Sequence, residues 1–105
     1  LFRLIFFTSC EKGWLWTIFE PFDVSIISDV EGELMIWSGS DDSGSPIKTF
    51  SVYPDYDRQW KDVDYGEYFA IFEYTNGSRS EEGFCVQNDS VEIDISSYSF
   101  FVWYK

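Results

Sequence analysis

Residues 64–77 read DYGEYFAIFEYTNG. Tyrosine, phenylalanine and isoleucine crowd positions 65–74, and these residue types fit a pleated, half-buried surface better than a helix. Asn76-Gly77 follows at once, and such a pair is a strong short-range signal for a hairpin, since glycine takes the positive φ that a tight reversal needs. The stretch therefore reads as one long strand turned back on a partner, expected over residues 82–87. That reading decides the fold class, because the flanking sequence repeats it in shorter form.

Upstream, Phe22, Val24 and Ile26 alternate with Asp23, Ser25 and Ile27. The turn residues Asp29-Val30-Glu31-Gly32 then predict a hairpin whose return strand covers 33–38. Residues 39–46, GSDDSGSP, form a loop by composition, and 47–53 is a further strand closed by Pro54-Asp55. Residues 55–64, DYDRQWKDVD, read as a loop with at most a short strand around Trp60. A first strand is expected at 14–19. Downstream, Asn88-Asp89 makes a turn into 91–95, where Val91, Ile93 and Ile95 alternate with Glu92 and Asp94. Residues 98–104 are aromatic on both faces, as suits a doubly covered central strand or the partner of an exposed patch. The pairs Trp14/Trp16 and Phe101/Trp103 each share a strand face and are expected in the core.

The chain has 105 residues, with 11 Phe, 7 Tyr and 5 Trp. Alanine occurs once and leucine only at positions 1, 4, 15 and 34, so helix-favouring composition is missing. A length of this order supports one domain. About eight short strands at intervals of roughly 8–12 residues predict an all-β fold, a single antiparallel β-sandwich.

The formal net charge is −12, from 19 acidic and 7 basic residues, with no histidine. A field of that sign repels phosphate backbones, so no nucleic-acid partner is expected. Without histidine a Ser-His-Asp triad, a Cys-His dyad and a His-ligated metal site cannot be built. No cofactor motif appears. Asp41-Asp42 and Asp62-x-Asp64 lack the spacing of a calcium loop, so no metal is expected either. Glu67 and Glu73 share a strand face but stand ~20 Å apart, too far for paired-carboxylate glycoside hydrolysis.

Asp64-Tyr65-Gly66-Glu67-Tyr68 resembles the tyrosine corner of immunoglobulin-like sandwiches, and its Gly-x-Tyr entry to a strand is similar to that of prealbumin-like domains. The resemblance spans residues 47–87. It implies that Tyr68 bonds backbone a few residues upstream, with Asp64 and Gly66 forming the turn. Ala70 stands where immunoglobulin domains carry their second cysteine. What is implied is architecture, not activity.

The chain begins LFRLIFFTSC. Arg3 precedes an apolar run, and Phe7-Thr8-Ser9-Cys10 resembles a bacterial lipobox. The resemblance implies that residues 1–9 belong to a signal peptide, that Cys10 is the lipid attachment site, that 10–13 form a tether and that 14–105 form the folded domain. The protein would then sit in a bacterial cell envelope, membrane-anchored on the periplasmic or outer surface. Read as an edge strand instead, the same stretch leaves Cys10 and Cys85 able to form a disulfide. Both readings require export.

For function, binding is expected rather than catalysis. Trp60 with Tyr53, Tyr56 and Tyr65 is the densest loop-proximal aromatic set, interspersed with Asp55, Asp57, Asp62 and Asp64. Aromatic faces stack on sugar rings and carboxylates accept their hydroxyls, so a glycan is one expected ligand, a protein another. The competing expectations are a structural or adhesive subunit assembling through strand edges and, further off, a small carboxylate hydrolase. Asn76-Gly77-Ser78 and Asn88-Asp89-Ser90 match glycosylation sequons but are explained by turn chemistry.

Overall fold

A computed structural model describes residues 22–86, 91–97 and 99–104. The expected signal peptide, Cys10, the tether, the strand at 14–19 and the turn at Asn88-Asp89 lie outside the described residues.

Alternation of apolar and polar residues builds the described strands. They are β1 (Phe22–Ser28), β2 (Gly32–Ser38), β3 (Lys48–Val52), β4 (Arg58–Val63), β5 (Gly66–Tyr74), β6 (Arg79–Val86), β7 (Val91–Ile95) and β8 (Phe100–Tyr104). They form two four-stranded sheets, β4-β1-β7-β8 and β3-β2-β5-β6. The first is sheet A and the second sheet B below. The architecture is the all-β sandwich that the strand spacing predicts.

The inward residues of both sheets meet in one core. Val24, Ile26, Ile93 and Ile95 of sheet A face Leu34, Ile36, Ala70 and Phe72 of sheet B, all fully buried. Fully burying one such aliphatic or aromatic side chain contributes roughly 1.5–3 kcal/mol, so this shared interior is the main source of stability.

Three features depart from the expected organisation. β1 and β2 do not form a hairpin. Short turn and strand alternation are equally compatible with a sheet-to-sheet crossing, and that is what residues 29–31 make: β1 pairs β4 and β7, while β2 pairs β3 and β5. The pairing of β1 with β7 is parallel, with Val24 opposite Val91 and Ser28 opposite Ile95, so the sandwich is not wholly antiparallel. Finally, β4 is a full strand. Its alternation is hidden by a bulge: Phe22 pairs Val63 but Val24 pairs Trp60, leaving Lys61 and Asp62 opposite Asp23 alone. Asp62 takes φ +59° there, and Trp60 and Val63 both turn inward although three positions apart.

The β5–β6 hairpin closes as predicted, through a three-residue loop. Tyr74 and Ser78 are joined by a backbone bond of 2.9 Å, and Gly77 supplies the positive φ at +94°. β5 is apolar on both faces. Ile71 is buried on the face away from the core, as is Trp37 of β2, whose indole N–H donates to the Gly44 carbonyl at 3.1 Å.

Candidate functional site

The four residues of the expected platform do not form one surface. Trp60 is inward on β4 and only 7% exposed, its ring edge-on to Tyr68 at 5.2 Å. It belongs to the core because the bulge two residues later fixes its direction. Tyr65 is half-buried ahead of β5. Tyr53 and Tyr56 are exposed, joined by a bridge across the β3–β4 loop, with ring centroids 6.4 Å apart and planes tilted by 45°.

Tyr68 fills a structural place. Its hydroxyl donates to the Asp64 carbonyl, four residues upstream, at 2.7 Å. Its ring stacks on Phe84 at 5.7 Å. Burial, and next the negative charge of Asp64, push its phenol above the ordinary value. Gly66 opens the strand directly after Asp64 and Tyr65, and Ala70 is fully buried in the core.

The exposed aromatic surface lies elsewhere, at residues expected in the core. β8 is the last strand of sheet A among the described residues, not a central one. Phe100 points inward, while Phe101, Trp103 and Tyr104 are each about half exposed. The rings of Phe101 and Trp103 stand 5.8 Å apart and are tilted by 42°. Register places Asp94 of β7 beside Phe101 and Glu92 beside Trp103. The row continues across the sheet from Glu92 to Ser25 of β1 and from Ser25 to Gln59 of β4. The Gln59 amide donates to the Ser25 hydroxyl at 3.1 Å. The outward face of sheet A thus carries two aromatic rings at one edge and carboxylate, hydroxyl and amide groups leading away from them.

Comparison with protein-family models, with curated proteins and with solved structures finds no match. The chemistry of the site therefore has to be read from its own side chains.

The carboxylates of the described residues take specific places. Glu33 and Glu73 are directly opposite on β2 and β5, a pair not visible in sequence because the two strands are joined through others. Both lie on the open surface of sheet B, where Arg79 comes within 3.8 Å of Glu73 and the Ser51 hydroxyl donates to Glu33 at 3.4 Å. Asp41 accepts from the Ser43 backbone N–H and hydroxyl at 3.1 and 2.6 Å, and these bonds hold its carboxyl below the usual range. Among the described residues no three acidic or cysteine side chains gather as a metal would require.

A groove of about 280 Å³ runs beside Glu67, Phe69, Gly83 and Tyr104, with Cys85 in its wall. The Tyr104 hydroxyl accepts from the Cys85 backbone N–H at 3.2 Å, tying β8 to β6. Cys85 is disulfide-bonded. The one other cysteine of the chain, Cys10, lies outside the described residues.

Proposed function

We propose that this is an exported, non-catalytic binding domain whose ligand face is the outward surface of sheet A. The observation that carries the reading is the exposed Phe101–Trp103 pair with Glu92 and Asp94 beside it. Large rings held half in water, next to fixed hydrogen-bonding groups, mark a contact surface rather than a core. A glycan suits both halves of that chemistry: C–H faces on the rings, hydroxyls on the acids and on Ser25. Rings tilted by 42° cannot both lie flat on one plane, so they suit a single sugar chain that turns between residues.

The second reading, assembly through a strand edge, draws on the same element. β8, the last strand of sheet A among the described residues, is FFVWY, without a charge, whereas edge strands usually carry charges that discourage pairing.

The envelope is the proposed location. A disulfide at Cys85 and lipid attachment at Cys10 are both chemistries of exported proteins. The two exclude each other, since the chain has two cysteines and the Cys10 sulfur cannot carry a thioether and a disulfide at once. Intact mass before and after reduction separates them: a gain of two hydrogen atoms on reduction indicates an intrachain disulfide, and an acylated species starting at Cys10 indicates the anchor.

Glycan-array screening of the domain and of its Phe101→Ala/Trp103→Ala variant tests the ligand face. Binding by the parent and its loss in the variant are expected, with the variant monomeric and folded. Trp60→Ala, by contrast, is expected to lose about 3–5 kcal/mol of stability, as core aromatics do. Equal glycan binding by parent and double variant sinks the sheet A face. Concentration-dependent dimers of the parent that the variant lacks would favour edge assembly instead.

A further inference from the structure

The opposite edge of the sandwich, where β3 and β4 face each other, carries a second feature. Arg58 is on the same side of β4 as Trp60 and so points toward the interior at the open edge. Its guanidinium carbon lies 5.8 Å from the centroid of the Phe50 ring and 5.3 Å from that of Tyr56. Nε is buried without a hydrogen-bond partner. Among the described residues no carboxylate pairs with it: the ion pair there is between Glu73 and Arg79. In a chain with 19 acidic side chains, a partly buried arginine held between two rings with no acid on it needs a reason.

Its chemistry narrows what could fill that place. A guanidinium presents its N–H groups in a planar fork that matches a carboxylate in two-point contact. Rings near its carbon fix the fork by cation–π attraction, worth more where water is partly excluded. Tyr53 and Tyr56, exposed and with ring planes 45° apart, stand at the same loop. Polyanions are disfavoured by the net charge of −12, which leaves a singly charged group carried on a ring-shaped body.

The geometry points to a second ligand site at Tyr53, Tyr56 and Arg58 that takes a carboxylate-bearing sugar, a uronic acid. Arg58 receives the carboxylate, and the tyrosine rings receive the pyranose. The sugar half of this assignment rests on the glycan reading of the domain, while the carboxylate half rests on Arg58 alone.

Titration of the ¹⁵N-labelled domain with a glucuronate-terminated oligosaccharide, its glucose-terminated counterpart and free glucuronate tests it by NMR. The acidic oligosaccharide is expected to shift the Arg58 side-chain Nε–H and the backbone of Tyr53 and Tyr56. It should bind at least roughly tenfold more tightly than the neutral one, the scale of a charge-assisted contact. Arg58→Lys should lose most of that preference, because an ammonium lacks the fork, and Tyr56→Leu, at an exposed position, should weaken both sugars. Phe101→Ala/Trp103→Ala should leave this site intact. Sugar binding confined to Phe101 and Trp103, with no preference for the acid, overturns the second site and spares the first. Shifts at Arg58 by glucuronate with no binding at β8 do the reverse. No shift at Arg58 with any probe, or an acid preference unchanged in Arg58→Lys, ends the proposal.

Discussion

Tyr68 is a residue whose hydroxyl, ring and ionisation act together. The ring is wedged between Trp60 and Phe84, and the hydroxyl fastens the Asp64 turn to the start of β5. Replacement by phenylalanine keeps the packing and removes one hydrogen bond, so a loss of about 1 kcal/mol is expected in urea unfolding. Its raised pKa gives this residue a pH signature. The folded state holds the phenolic proton at a pH where the unfolded chain has begun to release it. Its contribution is therefore complete below the ordinary tyrosine value of 10.0 and is lost as pH climbs through the higher folded value. Tyr68→Phe should flatten that part of the alkaline decline, and an identical alkaline profile in the two proteins would contradict it. The Tyr68–Asp64 bond closes within five contiguous residues, a span over which sequence alone can suggest a contact. The directions of Trp60 and Trp103 were not legible in that way. Trp60 and Trp103 lie on the two end strands of sheet A among the described residues, and it is the pairing register, Trp60 opposite the inward Val24 and Trp103 opposite the outward Glu92, that turns one to the core and the other to water.

Among the elements, local pairing was readable and distant pairing was not. The β5–β6 hairpin follows from Asn76-Gly77 because the turn and both arms are contiguous. β4 was hidden by its bulge, which breaks the period of two that identifies a strand. β1 and β2 each showed the right period, but nothing within them says that they belong to different sheets. One glycine does mark the crossing. Gly32, the first residue of β2, has no room for a side chain: a Cβ there would run into the Phe72 ring and the Glu73 carbonyl. Gly32→Ala is expected to cost at least about 1–3 kcal/mol, the range for overpacking a core, read as a lower denaturation midpoint. Gly77→Ala, with open space but positive φ, should cost only about 1–2 kcal/mol for the backbone conformation. A Gly32→Ala variant as stable as the parent would show that Phe72 yields freely.

At the scale of the molecule, charge and core oppose each other. The buried interior contains no charged side chain among the described residues, so almost all of the −12 is spread over the outside, where it repels itself. Salt shortens the range of that repulsion from roughly 30 Å at 0.01 M to about 10 Å at 0.1 M. The thermal midpoint should therefore rise as sodium chloride is raised over that interval, followed by circular dichroism. A midpoint that falls would mean that attractive surface pairs outweigh the net field.

β1 lies between β4 and β7 in its sheet, and its parallel partner starts only at Val91. During synthesis, then, a ribosome must deliver the chain past Val91 before β1 is flanked on both sides. A nascent chain stopped short of this point leaves one side of β1 without its partner strand and the inner face of sheet A incomplete.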